Sequence, residues 1–398
     1  MDKDTLEKLL GFTDFTVDSV VVLPTQIQIH GHARFEQAVC PVCLEKCNTV
    51  NQKQARIVRD MPVFGKEVYL HLTTRQFHCT NCQRFFYESF SFVEPKRTMT
   101  TRLEKYLYQC CQDSAFKEVA ARENVRWDVL QGLFTRWAKR QIKTDLATPP
   151  TRLGIDEFAY CKGKKDYAVV IVDLDRAVVY DVLENRDKEA LIAYFKTKGP
   201  AFCASITLFS CDMWAGFVNT AIAVFPHAEV VVDRFHLFAH LHHVLDIHRR
   251  NLRKNSPKAV CFKAIKWLLY RPWSKLSLTE RRVLLAAFRQ APVLRKVYFL
   301  KNELRNIFEA DLSRQEADAL LSEWVVAANA LADESLTKFV ALVESWKKHI
   351  LVFFVSRATN GLVEGINNGI KTLKRVAYGF RNFEQFRLRI IVNFLQPL

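Results

Sequence analysis

The sequence predicts a multidomain protein of mixed α/β class, and three patterns along its 398 residues support this prediction. Residues 17–36 and 55–78 are rich in Val, Thr, Phe and Tyr and alternate as half-buried strands do. Residues 152–232 contain short apolar runs separated by turn or helix signals. From about residue 235 to 346 the apolar residues have helical spacing throughout. We therefore expect a β-rich N-terminal part and an α/β part that is interrupted by an all-α segment.

The charge of the chain favours a polyanionic partner. The 58 Lys and Arg residues outnumber the 42 Asp and Glu residues, which gives a formal net charge of +16, and nucleic acid is the first partner to consider. The apolar runs, such as residues 349–355, are far shorter than the roughly 20 residues of a transmembrane helix. The first residues lack the features of a signal peptide. We therefore expect no membrane association and a cytoplasmic, nucleoid-associated protein.

Four cysteines predict a structural zinc site in an N-terminal domain, residues 1–95. Cys40 and Cys43 form one Cys-x-x-Cys pair, and Cys79 and Cys82 form a second pair beyond a strand-like interval. Each pair supplies two thiolates from one tight turn, and together they suit the tetrahedral shell that structural zinc prefers. Cys47 is a competing ligand, as is His78, and core cysteines or a redox pair are the alternative. We expect a zinc ribbon with one Zn²⁺.

Residues 96–148 predict a helix-turn-helix domain. Val119 lies on the inner face of a first helix, a turn follows at residues 124–125, and Val129, Leu133 and Trp137 face inward from a second helix. The second helix carries polar and cationic side chains that suit phosphates and base edges. These candidate DNA contacts are Arg126, Gln131, Arg136 and Arg140. An ordinary helical hairpin is the alternative interpretation.

Beyond Pro149-Pro150, the elements follow the order β-β-β-α-β-α-β, which is that of RNase H-like nucleic-acid enzymes. In such enzymes one acid lies on the first strand, one ends the fourth strand and one lies on a later helix. Asp156 occupies the first position and Asp212 the second. We expect a catalytic domain of residues 151–250 and 349–398, with residues 251–348 inserted as an all-α domain that has its own small core.

The third acid has to come from a late helix, and Glu364 supplies it. Steps of three and four residues place Glu364, Asn367, Lys371 and Lys374 on one helical face, beside phosphate-binding cations. Three acids suit two Mg²⁺ (or Mn²⁺) ions that activate an attacking oxygen and stabilise a leaving oxygen in displacement at phosphorus. Glu157 and Asp233 are rival acids, because adjacency alone singles out neither Asp156 nor Asp212.

With these motifs in view, the sequence resembles the DDE transposases of bacterial insertion sequences, and within them the ISL-three family. The matching text comprises Gly154-Ile-Asp156-Glu157-Phe158, Cys211-Asp212-Met-Trp214, Val232-Asp233-Arg234-Phe235-His236, Asn360-x-x-x-Glu364-Gly-x-Asn367-x-x-Ile370-Lys371 and Gly379-Phe380-Arg381-Asn382. The resemblance implies that Asp156, Asp212 and Glu364 form the catalytic, metal-binding triad. It also implies that Asp233 and His236 form the accessory motif of transposases with a large helical insertion.

The function that these features predict is DNA transposition. The expected enzyme binds terminal inverted repeats as a homodimer, cleaves double-stranded DNA at the element's ends and joins it to target DNA. Cations of the last segment are further candidate DNA contacts, namely Lys371, Lys374, Arg375 and Arg381. The alternatives are an RNase H-like nuclease without strand transfer and a zinc-containing DNA-binding regulator, although the intact acids argue against the regulator.

Overall fold

A computed structural model describes residues 3–160, 167–255, 265–376 and 382–395. The chain divides into two compact units, one built mainly from Met1–Gln141 and the other from Ile142–Arg375 and Gly379–Leu398. Within the described ranges, no helix combines the length and the apolar character needed to cross a bilayer.

The first unit begins as a β-rich region. Its elements are helix α1 (Lys3–Leu10) and strands β1 (Phe15–Val22), β2 (Gln26–Ala33), β3 (Ala38–Val39), β4 (Lys46–Cys47), β5 (Val50–Val63), β6 (Lys66–Cys79) and β7 (Arg84–Tyr87). One sheet has the order β1-β2-β6-β5, with β7 pairing the end of β6, and β3 and β4 form a separate small hairpin. Strand β6 buries Val68, Leu70 and Leu72 and turns the residues between them to its other face. The predicted β-rich character and alternation are confirmed.

Three helices complete the first unit: α2 (Thr101–Asp113), α3 (Phe116–Arg122) and α4 (Trp127–Asp145). The turn between α3 and α4 contains Asn124, whose φ of 49° lies in the left-handed region that Asn tolerates better than most residues. The Arg59 guanidinium of β5 donates hydrogen bonds to the carbonyl oxygens of Glu123 at 2.7 Å and Asn124 at 2.9 Å, which holds this turn against the sheet.

The prediction of the inner face of α4 was right for Leu133 and wrong for Val129. Leu130, Leu133 and Phe134 are buried, whereas Val129 is 40% exposed. Trp137 is half-buried, and its indole N–H donates to the Glu104 carboxylate at 3.0 Å. The apolar stripe therefore runs through Leu130, which lies three and four residues before Leu133 and Phe134 on the same helical face, rather than through its neighbour.

The second unit contains the predicted β-β-β-α-β-α-β order. Its elements are β8 (Arg152–Ala159), β9 (Tyr167–Asp173), β10 (Val178–Leu183), α5 (Lys188–Thr197), α6 (Pro200–Ser205), β11 (Leu208–Cys211), α7 (Ala215–Val224) and β12 (Glu229–Val232). The sheet order is β10-β9-β8-β11-β12; the first three strands are antiparallel, and β8, β11 and β12 run parallel. This arrangement confirms the RNase H-like α/β fold class, with α6 as an additional short helix.

Helices occupy the remainder of this unit. They are α8 (Arg234–Asn255), α9 (Ile265–Tyr270), α10 (Leu278–Gln290), α11 (Pro292–Glu309), α12 (Arg314–Asn329), α13 (Glu334–Ser356), α14 (Gly361–Val376) and α15 (Phe383–Asn393), with a 3₁₀ turn at Trp273–Lys275. The break predicted around residues 378–379 lies outside the described residues.

The inserted helices share one hydrophobic core with the sheet, although the sequence predicted a separate small core for them. Leu153 and Phe209 of the strands belong to the same buried cluster as Leu304 and Val343 of the helices. Helix α8 follows β12 after a single residue, and α13 packs against β12, so their apolar faces continue the apolar face of the sheet. The domain boundaries inside this unit remain predictions.

Candidate functional site

A cavity of about 280 Å³ lies at the carboxyl edge of the parallel strands. Ligand sites of open α/β sheets usually form at this edge, where neighbouring connections diverge. The residues that line it are Asp156, Asp212, Asp233, Phe235, His236, Ala239, Asn360 and Glu364. The structure thus brings all three acids of the predicted triad, and both residues of the predicted accessory motif, to one cavity.

Asp156 lies on the central strand β8, where its carboxylate is held from two sides. Its Oδ2 accepts a hydrogen bond from Asn367 Nδ2 at 2.6 Å, and its Oδ1 accepts one from the backbone N–H of Glu157 at 2.7 Å. Burial and the nearby charge of Asp212 raise the pKa of Asp156 to about 7, against the opposing effect of these hydrogen bonds. The site therefore crowds negative charge that a cation would neutralise.

Asp212 follows β11 and is held by two further elements. Its Oδ2 lies 3.0 Å from His236 Nε2 on α8, and its Oδ1 accepts from Asn360 Nδ2 at 3.2 Å. The hydrogen bond to Asp212 raises the pKa of His236 above its usual value, although burial opposes this rise. An imidazolium facing a carboxylate is therefore favoured here as long as nothing else binds Asp212.

Asp233 follows β12 and is 5% exposed. Burial raises the pKa of its carboxyl group, and a hydrogen bond from the backbone N–H of Phe235 opposes the rise. Asp212, Asp233 and His236 each offer one ligand atom, and these three atoms lie within 4.8 Å of one another. Carboxylate and imidazole ligands in this arrangement suit a divalent cation such as Mn²⁺.

Glu364 lies in the first turn of α14 and is exposed to the cavity. It is 152 positions from Asp212 in the chain, so only the fold brings the two carboxylates to the same cavity. Within the described parts of the chain, no ion pair involves Glu364. Its carboxylate is therefore available to a ligand, and its place in a metal-binding triad remains a prediction.

The rival acid Glu157 is turned away from this cavity. Successive residues of a strand face opposite sides of the sheet, and Glu157 forms an ion pair with Arg186. The Arg186 guanidinium also lies 4.5 Å from the ring centre of Tyr167 and 5.6 Å from that of Trp214. Asp156, not Glu157, therefore faces the cavity.

Sequence reasoning assigned no role to Asn360 and placed Asn367 only on a helical face. Both are buried, at 3% and 5% exposure, and each donates a side-chain hydrogen bond to an aspartate of the cavity. The steps of four and three residues that join Asn360, Glu364 and Asn367 were a signal that these side chains share a face.

The cations of α14 differ in their roles. Lys374, a candidate DNA contact, donates from Nζ to the carbonyl oxygens of Ala159 at 2.9 Å and Tyr160 at 2.7 Å, so its ammonium group holds the end of β8. Lys371 and Arg375 are exposed and remain candidate DNA contacts. Arg381 lies outside the described residues.

The candidate DNA contacts of α4 also divide. Arg126 is 80% exposed at its side chain, where it pairs with Asp128, and Gln131 is half-buried. Arg136 was predicted to face outward, but its guanidinium pairs with the buried Glu104 at 2.6 Å. Buried acids hold their partners because an unpaired buried charge is costly.

The last of these contacts, Arg140, lies near the far end of α4. Its guanidinium pairs with Glu94 at 2.9 Å and lies 5.5 Å from the centre of the Trp137 ring. Its side chain is 53% exposed, so it can still contact a phosphate, and it remains a candidate.

The four predicted zinc ligands form one cluster in the first unit. The Sγ atoms of Cys40, Cys43, Cys79 and Cys82 lie within 4.8 Å of one another. The Cys43–Cys79 distance is 3.4 Å and the Cys40–Cys82 distance is 3.6 Å. A tetrahedral site with Zn–S bonds of about 2.3 Å requires sulfur atoms about 3.8 Å apart. The donor set and its spacing therefore fit Zn²⁺.

The backbone prepares this cluster for a cation. Backbone N–H groups of the second turn lower the pKa of Cys79 to about 6, and those of the first turn lower the pKa of Cys40. The competing residues lie outside the set of four. Cys47 donates its thiol to the carbonyl oxygen of Glu45 at 3.6 Å, and the His78 ring packs 4.8 Å from the Phe85 ring.

Comparison with known protein families covers most of the chain. Residues 153–390 match the transposase model of the ISL3 (ISL-three) group. Residues 36–82 match the zinc finger of the transposases of IS204, IS1001, IS1096 and IS1165, and residues 88–138 match the helix-turn-helix domain of transposase family ISL3. The matched zinc-finger segment contains the four-cysteine cluster, and the DDE match contains the cavity.

Individual curated proteins are similar as well. The transposase for insertion sequence element IS1001 of Bordetella parapertussis is 28% identical, over 99% of this chain and 98% of its own length. The transposase for IS1557 of Mycobacterium tuberculosis (strain CDC 1551 / Oshkosh) is 26% identical, over 70% of this chain and 67% of its own length.

Proposed function

Because the chain belongs to the ISL3 family of transposases, we propose that it binds the terminal inverted repeats of its own insertion sequence, cleaves the DNA there and joins the freed 3′-hydroxyl to target DNA. As a DDE transposase it is an enzyme of DNA phosphoryl transfer. Our proposal covers binding to the repeats, the order of cutting and joining, and the number of metal ions.

One observation carries the catalytic proposal. The cavity gathers Asp156, Asp212 and Glu364 from two strands and a helix that are far apart in sequence. Displacement at phosphorus requires that an attacking oxygen lose its proton and that a leaving oxygen gain stabilisation, and both ends of that reaction develop negative charge. Acids that converge at one edge of a sheet are suited to divalent cations, and the raised pKa values of Asp156 and Asp233 are typical of a functional site.

The residues of the cavity fit such cations. We propose that Asp156, Asp212 and Glu364 would bind two Mg²⁺ or Mn²⁺ ions, with Asp233 and His236 as accessory groups beside Asp212. When bound, such a pair activates the attacking oxygen and stabilises the leaving oxygen. The protein's own groups orient the site, since Asn367 and Asn360 each donate a hydrogen bond to one of the two aspartates.

His236 has a further part in this proposal. Its Nε2 lies 3.0 Å from Asp212 Oδ2, and a cation bound to Asp212 would release this nitrogen to face another anion. Beside the cavity, a protonated imidazole can also face a phosphate oxygen of DNA, where a charge-assisted hydrogen bond is stronger than a neutral one. We propose that this group orients the scissile phosphate against the acids.

DNA binding follows from the first unit. The zinc-finger and helix-turn-helix matches indicate DNA-binding domains, and the net charge of +16 favours a polyanion. We propose that Arg126, Gln131 and Arg140 of the helix-turn-helix contact the repeat, and that Lys371 and Arg375 contact phosphates near the cavity. We further propose a homodimer that brings two ends together and acts in the cytoplasm at the nucleoid.

Strand transfer with a labelled element end tests this function. The purified protein, supplied with Mg²⁺ or Mn²⁺, should bind the end, nick it and join the 3′-hydroxyl to a target plasmid, and gel analysis would resolve each product. An RNase H-like nuclease would release cut ends without joined product. A DNA-binding regulator would shift the end without cutting it, even with Mn²⁺ present.

A further inference from the structure

Asn360 occupies the place where two parallel strands of the catalytic sheet separate. The pairing of β8 with β11 runs from Arg152 and Leu208 to Gly154 and Ser210 and then ends. One residue further along β8, the carbonyl oxygen of Ile155 accepts a hydrogen bond from Asn360 Nδ2 at 3.2 Å. The buried amide of Asn360 therefore continues the link between these strands where their backbones have diverged.

The same amide also holds the second aspartate of the cavity. Asn360 Nδ2 donates to Asp212 Oδ1 at 3.2 Å, and Asn360 Oδ1 accepts from Ser210 Oγ at 2.9 Å. An asparagine amide has two N–H donors and one carbonyl oxygen, and here every one of them has a partner. Rotating the amide by half a turn would oppose its oxygen to the oxygens of Ile155 and Asp212, so only one orientation fits.

The backbone of Asn360 adds a further contact. Its carbonyl oxygen accepts from the N–H of Glu364 at 2.8 Å, which makes Asn360 the capping residue immediately before α14. Asparagine at a helix start usually accepts hydrogen bonds from that helix, whereas here the side-chain oxygen is bound by Ser210. The asparagine side chain at position 360 is therefore required by its hydrogen bonds to the strands, and not by capping of the helix.

From these contacts we propose that Asn360 is a positioning residue of the transposition reaction, which holds the Asp212 carboxylate and sets the start of α14 so that Glu364 faces the same cavity. Asn367 holds the Asp156 carboxylate in the same way, through a hydrogen bond from its side-chain amide. Helix α14 and the residue before it thus contribute one acid, Glu364, and one amide for each of the two aspartates of the triad. This inference rests on the proposed metal-dependent function of the cavity.

The first test is Asn360→Ala in the full-length protein. Loss of a residue that orients metal ligands typically costs about 10- to 100-fold in metal affinity or activity. We expect the maximal cleavage rate to fall in that range and the Mn²⁺ concentration for half-maximal cleavage to rise. The affinity for the labelled end should stay within about twofold, because the zinc cluster and helix-turn-helix are unchanged. Mn²⁺ binding followed by electron paramagnetic resonance, without DNA, should weaken in parallel.

The second test keeps Asn360 and removes the group that orients it. Ser210→Ala should give a smaller loss of the same kind, and adding it to Asn360→Ala should cause almost no further loss, because Ser210 acts through Asn360. Thr220→Ala is the matched control. Thr220 is buried in the same unit, and its hydroxyl donates to the Gly216 carbonyl oxygen within α7, so cleavage and Mn²⁺ binding should stay at wild-type values.

The outcomes separate this inference from the proposed function. If the wild-type protein does not cleave, or cleaves as well with Asp212→Asn, the proposed function fails. If Asp212→Asn abolishes cleavage but Asn360→Ala keeps wild-type Mn²⁺ binding and cleavage, only the positioning role is overturned. If Asn360→Ala does not fold, Ser210→Ala decides: a loss equal to that of Thr220→Ala would refute the role, and a larger loss with weaker Mn²⁺ binding would support it.

Discussion

The zinc cluster and the catalytic cavity are both built from side chains that can bind cations, but they are assembled in opposite ways. Two short turns supply the four thiols, and each turn contributes a pair three residues apart. The cavity takes its groups from β8 and from the segments that follow β11 and β12, together with α8 and α14. The comparison teaches that local spacing can specify the cysteine cluster by itself, whereas only the fold brings the residues of the cavity together.

The two sites also differ in electrostatics. Backbone N–H groups at the cysteine turns lower the pKa of Cys79 to about 6, which favours the thiolate before any cation arrives. Burial and neighbouring charge instead raise the pKa of Asp156 to about 7. The backbone thus favours the thiolate at Cys40 and Cys79, while burial raises the pKa of Cys82 to about 12, so this cluster also depends on a cation for its fourth thiolate.

The largest expected effect comes from removing an acid of the cavity. Glu364→Gln keeps the shape of the side chain and removes its charge, so metal-dependent cleavage should fall by at least about 10²- to 10³-fold, as for loss of a key electrostatic group. Binding of the labelled end, measured by gel shift, should persist.

Glu157→Gln is the matched control for that change, because Glu157 pairs with Arg186 and does not line the cavity. It should retain most of the cleavage rate. An equal loss of cleavage rate in both variants would contradict the assignment of Glu364, and not Glu157, to the catalytic acids.

The second effect concerns the locally specified site. Cys40→Ser or Cys79→Ser should lose zinc, measured by elemental analysis of the purified protein, and should lose end binding with it, because structural zinc stabilises its domain directly. Cys203→Ser is the control, since this thiol donates to the Phe195 carbonyl oxygen in the other unit. Wild-type protein without zinc would refute the site.

A third effect separates two arginines, one just before α4 and one within it, that the sequence analysis treats alike. Arg126→Ala should weaken end binding and reduce the salt dependence of binding by about one phosphate contact, with little change in stability. Arg136→Ala should lower the free energy of unfolding by about 1–3 kcal/mol, because it leaves the buried Glu104 without its ion-pair partner.

Urea unfolding and salt titration of end binding would measure these two outcomes. The reverse pattern, with Arg136→Ala affecting only DNA binding, would show that Arg136 leaves Glu104 to contact DNA.

The smallest expected effect is a pH dependence of stability that arises from the residues packed around His242. Burial and the charges of Lys301 and Arg305 lower the pKa of His242 to about 4. Its ring stacks on Tyr270 at 4.2 Å. The unfolded chain, with an ordinary histidine pKa near 6.5, binds this proton first, so the contribution of His242 to stability is present above about pH 6.5 and is lost as the pH falls toward 4.

We therefore expect His242→Gln to flatten the loss of stability between pH 6.5 and 4 relative to wild type, as measured by urea unfolding at each pH. An unchanged slope would mean that the ring is charged in the folded protein despite its cationic neighbours.

Much of the architecture was predictable because it depends on local periodicity. Alternation in β6, the β-β-β-α-β-α-β order and the two cysteine pairs all repeat within a few residues, and the structure and the family matches confirm the fold class and the zinc ribbon. The incorrect prediction concerns a residue that had to be assigned to one face of a helix. Val129 was assigned to the inner face of α4 because helical spacing allows neighbouring apolar stripes, and only the packing of the folded protein selects Leu130. The candidate DNA contact Arg136 pairs with Glu104, an acid that only the fold brings to it.

The sequence by itself determined which residues could take part in the chemistry, through residue type, spacing and resemblance to the transposases. Only the tertiary structure decided which of them meet. It turned Asp156 and not Glu157 to the cavity, brought Glu364 across 152 positions to Asp212, and placed Asn360 between two diverging strands. The physical reason is that hydrogen bonding and burial depend on distances in space. For residues on separate strands and helices, the packing of the whole sheet sets those distances.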